Sequence, residues 1–126
     1  GVFEYLQQIL NAQATALLAC QSGDGLWHTL LDDSSSYTET SGSAAIAAGI
    51  LHSVRRGLLP ESYAGHALKA IRAVLDRIDD EGTVLGVSGG TPIGAAKEDY
   101  KQIIIAPMAY GQAMVLVALG EALHYC

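Results

Sequence analysis

Asp24–Ile50 reads DGLWHTLLDDSSSYTETSGSAAIAAGI. Gly25 belongs to a turn, Leu26–Leu31 alternates and predicts a short strand-like segment, and Asp32–Thr38 is a polar loop. Thr40 or Ser41 then stands where a helix is capped, and that helix is expected to run to about Arg56 and stop at Gly57. Its residues are small: Gly42, Ala44, Ala45, Ala47, Ala48 and Gly49. Side chains of this size let a neighbouring helix approach closely, so the element is read as an inner, crowded one.

Working outward, Val2 to about Gln21 is periodic as a helix, with Leu6, Ile9, Leu10, Leu17 and Cys20 on one face. Ser22–Gly25 is the turn that follows it. Beyond the central stretch, Pro60 suits the start of a third helix. Ala64, Ala67, Leu68, Ile71, Val74, Leu75 and Ile78 form its apolar stripe, with Lys69, Arg72, Asp76 and Arg77 facing away. Thr83–Val87 predicts a second short strand, Ser88–Ala96 a loop of small residues, and Glu98 to about Ile105 a short helix ended by Pro107. Tyr110–Tyr125 predicts a last, mostly apolar inner helix.

The order turn, short strand, polar loop, small-residue helix thus occurs twice, with Gly25 matching Gly82 and Gly42 matching Gly111. Such repeats mean stacked helical hairpins. The fold class is therefore all-α, an α/α toroid with strand-like segments only in its loops. A closed toroid takes about a dozen helices; five are read here, so about half of one is expected.

Composition agrees. The chain has 126 residues, of which 50% are apolar and only 16% charged, against about 25% charged in an average domain. Some faces are expected to be covered, by a missing half of the barrel or by self-association. Residues 1–126 are read as the carboxy-terminal part of one domain, with no second domain. A net charge of −6 with 7 Lys+Arg argues against nucleic acid as a partner. No apolar run reaches the roughly 18 residues of a membrane span. Cys20 and Cys126 make no disulfide framework, the four histidines are scattered, and neither CxxC nor HExxH occurs. No metal and no cofactor are expected, and the location is expected to be cytoplasmic.

Six segments in order carry a resemblance: GLWHTLLDD, TETSGSAAIAAGI, RRGLLPESYAGHALKAI, DDEGTVLGVSGGT, EDY and AYGQAMVLVALGEAL. Together they resemble the carboxy-terminal half of the unsaturated glycuronyl hydrolases, glycoside hydrolase families 88 and 105. The GT after the second predicted strand and the YGQ near the end favour family 105. The resemblance implies an (α/α)6 barrel and removal of a 4,5-unsaturated uronic acid from pectin-derived oligosaccharides. It implies that an aspartic acid protonates the C4=C5 double bond and that water adds at C5. That aspartate lies in the amino-terminal half of the family, so no catalytic residue is expected in this chain.

What remains is a substrate-binding wall, for which Trp27, His28, Thr40, Ser43 and Tyr110 are the candidates. Trp27 either stacks on a sugar or plugs the barrel end. In an extended segment His28 points away from Trp27, so the two are not expected to face the sugar together. Thr40 and Ser43 share a helix-start face, where hydroxyls and free N–H groups either receive a sugar carboxylate or serve only as caps. By the resemblance, Trp27 lines the unsaturated-sugar site and the TSGS stretch supplies substrate-contacting hydroxyls, whereas Thr29 stands where relatives can carry a basic residue. Ser88, Gly90 and Thr91 are read as a second loop on the same face, and Tyr110 and Gln112 as lining its funnel. Asp32, Asp33, Asp80 and Glu81 are read as solvated carboxylates, and Glu39 as favouring the positive end of the following helix. Two rivals are a helical interaction module and another α/α-toroid glycosidase or lyase using Asp24 and Asp32 as paired acids.

Overall fold

A central helix of small residues needs neighbours on several sides, and in the computed structural model, which describes residues 1–126, it has them. The order is α1 (Val2–Ala19), α2 (Thr40–Arg55), α3 (Tyr63–Leu75), α4 (Lys97–Lys101), α5 (Ala109–Ala122) and a closing 3₁₀ turn, Leu123–Tyr125. α2 packs on both α3 and α5. It contributes Ala44, Ala47 and Leu51, all fully buried, while α3 brings Ala67, Ala70 and Val74 and α5 brings Val115 and Ala118. Alanines facing a neighbour shorten the distance between helix axes. Each larger side chain enclosed between them, Leu51 above all, stabilises the packing by about 1.5–3 kcal/mol.

Side-chain contacts fix the directions. Near their starts, Ser43 of α2 and Tyr110 of α5 line one cavity. Near their ends, Arg55 and His52 of α2 bond Glu121 of α5, at 3.0 Å for the Arg55 Nη2 and His52 Nδ1 contacts. The two helices therefore run side by side in the same direction. α1 and α3 run against them. Gln7, early in α1, bonds the carbonyl of Leu58 beyond the end of α2, whereas Leu17, late in α1, accepts the indole N–H of Trp27. Arg77, just past α3, reaches back to Thr38, two residues before α2. The result is alternating inner and outer helices of a toroid segment, with the connecting loops that precede α2 and α5 at one end.

The two halves of the repeat agree in detail. Gly25 and Gly82 both have a left-handed backbone, φ 101° and 84°. Gly42 and Gly111 are each the third residue of their inner helix. At Gly25 the need is double, since a Cβ there would also lie 2.9 Å from the Lys69 carbonyl oxygen.

Several expectations need correction. Neither predicted strand forms; only single-residue bridges occur, His28 with Thr38, Ile78 with Val84, and Ser88 with Ile105. The extended segments spend their polar groups elsewhere: Trp27 N–H goes to Ser43 Oγ, Glu39 N–H to Trp27 O, and Val84 N–H to Gln112 Oε1. The cap of α2 is Glu39, not Thr40 or Ser41. Arg77 does not face away; its Nη2 donates to Thr38 Oγ1 at 3.0 Å. The fourth helix is only Lys97–Lys101 and sits inside a loop. Four long helices are one third of a dozen, so the chain is nearer a third of a toroid than a half. Leu6 and Ile9 are exposed, as are Leu116 and Leu123 at the other edge. No helix is long and apolar enough to cross a membrane.

Candidate substrate cavity

The loop end carries a cavity of about 390 Å³. Its floor and walls come from four places in the chain: Trp27–Leu31, the start of α2, the Ser88–Thr91 loop and Tyr110. Of the expected residues, Trp27, His28, Ser43 and Tyr110 line it, as do Ser88, Gly90 and Thr91.

Trp27 is only 1% exposed, and its Nε1–H donates to Leu17 O at 2.7 Å. It is at once a core plug and part of the cavity lining, so the two readings of it do not exclude one another. Ser43 Oγ accepts the Trp27 backbone N–H at 2.8 Å and lies 3.5 Å from the Trp27 carbonyl oxygen, leaving its proton weakly engaged. His28 Nδ1 lies 2.6 Å from the carbonyl oxygen of Ser36. A carbonyl only accepts, so Nδ1 carries the proton, and Nε2 of the neutral ring is an acceptor. His28 and Trp27 line the same cavity, contrary to the alternation expected of a strand, because the segment is not one. Tyr110 donates its hydroxyl proton to Ser88 O and accepts from Gly90 N at 3.0 Å.

Thr40 stands apart. It is fully buried, its Oγ1 donates to Leu85 O at 2.7 Å, and its N–H donates to Gly86 O at 2.9 Å. Gly86 allows this approach: a Cβ there would sit 2.7 Å from Thr40 Oγ1, and its φ is 74°. Gln112 also leaves the cavity, bonding Val84 N and Gly82 O instead.

The hub of the site is Glu39, 8% exposed and on the cavity lining. One carboxylate oxygen accepts Gly42 N at 2.5 Å; the other accepts Ser41 Oγ at 2.7 Å and Ser88 N at 3.0 Å. The α2 N-terminus, read either as receiving a sugar carboxylate or as simply capped, is capped by the protein's own carboxylate. Capping statistics favour Ser and Thr over Glu, which is why the sequence directed attention to Thr40 and Ser41. The only signal for Glu39 was its place just before a Ser/Gly-rich helix start.

Asp24 and Asp32 do not line the cavity. Asp24 Oδ1 accepts Leu26 N at 3.0 Å, closing the turn. Asp32 pairs with Lys97 at 3.0 Å, and that lysine's hydrogen bond and charge hold its carboxyl below the usual range. Asp33 is held well below it by the Ser35 hydroxyl first and Lys101 next. Glu39 is the one carboxyl group on the lining, and both of its oxygens accept hydrogen bonds from the protein.

The profile of Glycosyl Hydrolase Family 88 matches residues 2–126. The unsaturated rhamnogalacturonyl hydrolase YesR of Bacillus subtilis (strain 168) is 37% identical over 122 residues, covering 96% of this chain and 34% of that protein. A crystal structure of a possible member of glycoside hydrolase family 105 from Salmonella enterica superposes with a TM-score of 0.93 at 47% identity, covering 96% of this chain and 32% of that one. A family 105 glycoside hydrolase from C. acetobutylicum gives 0.86 at 26% identity, covering 95% of this chain and 38% of that one. The chain spans about a third of the length of these relatives.

Proposed function

The chain belongs to Glycosyl Hydrolase Family 88, and from that premise we propose that its protein removes a 4,5-unsaturated uronic acid from pectin-derived, rhamnogalacturonan-type oligosaccharides. The reading rests on the resemblance to an unsaturated rhamnogalacturonyl hydrolase and on a cavity of sugar size at the loop end. In the proposed reaction an acid gives a proton to C4 of the C4=C5 double bond and water adds at C5. The resulting hemiketal opens and releases the second sugar. This route differs from displacement at the anomeric carbon between paired carboxylates.

The single observation that assigns this chain its part is the state of Glu39. Three donors occupy the only carboxyl group on the lining, so no carboxyl group here is free to act as acid and then base. The chain supplies binding walls: hydroxyls of Ser43, Ser88 and Tyr110, the Nε2 acceptor of His28, and the body of Trp27. The acid comes from elsewhere in the domain. The same reasoning disfavours the paired-acid rival, since Asp24 and Asp32 are spent in a turn and an ion pair. The exposed apolar residues of α1 and α5 suit further helices of the same domain, or a second copy of the chain. The test is the loss of double-bond absorbance from an unsaturated rhamnogalacturonan disaccharide. The intact protein should bleach it and residues 1–126 alone should not; bleaching by residues 1–126 alone contradicts the division of labour.

A further inference from the structure

Residues 90–103 make a loop that hangs from a narrow neck. Gly89 N–H donates to Ile104 O at 2.6 Å and Ala106 N–H to Val87 O at 2.9 Å, so the two ends of the loop lie side by side. Above the neck the loop folds on itself: Asp99 Oδ2 accepts Ala95 N–H and Ala96 N–H, and the Tyr100 hydroxyl accepts Gly94 N–H. Compact loops with joined ends are frequently functional. This one supplies Gly90 and Thr91 to the cavity lining.

The core does not hold the loop. No residue from 90 to 103 is buried, and none packs on the apolar cluster. Beyond the neck and the bond from Gly90 N–H to Tyr110, its hydrogen bonds to the rest of the chain come from two lysines of α4. Lys97 pairs with Asp32, but both side chains are more than half exposed and solvent screens them. Lys101 is only 19% exposed, and its ammonium meets Asp33 Oδ2 at 2.9 Å, Glu98 Oε1 at 2.9 Å and Ser35 Oγ at 2.7 Å. Asp33 is itself fixed, since its other oxygen accepts the N–H and hydroxyl of Ser35. Asp33 lies two residues past Leu31, which lines the cavity together with His28 and Thr29.

Resting on the hydrolase reading above, we propose that Lys101 and Asp33 form a clasp and that Lys101 is a positioning residue: the pair holds the 90–103 loop against the loop after Leu31, so that both keep their places on the wall of the substrate cavity. Lys101 acts through that wall and not on the reacting atoms. A wall ordered before the oligosaccharide arrives lowers the cost of binding. An unclasped wall raises KM and leaves the chemical step alone.

The experiment reads amide hydrogen exchange and hydrolysis of an unsaturated rhamnogalacturonan disaccharide on the intact protein. Lys101→Ala should speed exchange over residues 90–103 about tenfold while Leu51 in α2 keeps its rate. KM should rise about five- to tenfold with kcat held within about twofold. Asp33→Asn opens the clasp from the other side and keeps an oxygen for Ser35, so it should act in the same direction. Lys101→Arg keeps the charge and should recover most of the lost KM. Loop exchange unchanged in both neutral variants overturns the clasp. Exchange that speeds equally at Leu51 is a general loss of stability and also overturns it. Faster loop exchange with KM unmoved overturns the positioning role and leaves the hydrolase reading standing. Wild-type protein that hydrolyses no unsaturated disaccharide overturns the hydrolase reading, and loop exchange alone then decides the clasp.

Discussion

The backbone N–H of Ser88 donates to Glu39 Oε1 at 3.0 Å, joining residues 49 positions apart. Through this bond the second loop of the repeat is fastened to the start of the first inner helix, and the cavity lies where the two meet. Glu39 N–H adds a bond to Trp27 O at 2.9 Å, so three of the four cavity-forming segments converge on one residue.

Glu39→Ala should therefore cost more than a lost cap. It leaves the N–H groups of Gly42 and Ser88 without their acceptor, and the expected loss is about 2–4 kcal/mol. Chemical denaturation measures it; a loss below about 0.5 kcal/mol, the level of an ordinary surface substitution, contradicts the hub.

Ser43→Ala removes the hydroxyl that accepts the buried Trp27 N–H. An unsatisfied buried donor costs about 1–3 kcal/mol. Hydrogen exchange at the Trp27 amide should accelerate in the variant while exchange at Leu51, deep in α2, follows only the change in global stability. An unchanged Trp27 amide counts against the bond.

Tyr110→Phe tests function more than stability. Tyr110 is 42% exposed, and its hydroxyl bridges Ser88 O and Gly90 N. Stability should fall by less than about 1 kcal/mol. The kcat/KM for an unsaturated disaccharide should fall about five- to tenfold, mainly through KM, as a binding wall loses its shape. An equal fall in kcat with KM unmoved would assign Tyr110 to the chemical step instead.

How legible was this in the sequence? The helices were, because Ala44, Ala47 and Leu51, and Ala64, Ala67, Ile71 and Val74, repeat at helical spacing and are buried as that spacing requires. The repeat was legible through Gly25 and Gly82, whose left-handed backbone no other residue adopts as readily. The strands misled, since alternation over Leu26–Leu31 mimics a sheet while the actual partners are helix-start side chains 16 residues on. The site was legible by position and not by role. Thr40 and Ser43 look alike in the sequence, but only Ser43 turns to the cavity. Glu39 was legible at the positive end of α2, where its carboxylate accepts Gly42 N–H, but nothing local reveals that the same carboxylate reaches Ser88.

The far end of the same helix pair gives a pH prediction. Glu121 is lowered to about 2, first by the hydrogen bond from Arg55 and next by that from His52. Its folded value lies below the ordinary 4.5, so its contribution is full above that value and is lost as pH falls from about 4.5 toward about 2. Wild-type protein should be more stable than Glu121→Gln at pH 7, with the gap closing over that window. A gap independent of pH contradicts the pairing of α2 with α5 through this carboxylate. Because Arg55 is 35% exposed, solvent screening keeps the gap small.

The most direct test of the account is a crystal structure of the intact protein with a saturated analogue of the rhamnogalacturonan disaccharide bound. The account predicts a sugar in the cavity between Ser43, Ser88 and Tyr110, with its hydroxyls on those residues and the α2 N-terminus still held by Glu39. Sugar density elsewhere with this cavity empty, or a sugar carboxylate seated at the α2 N-terminus, would contradict it.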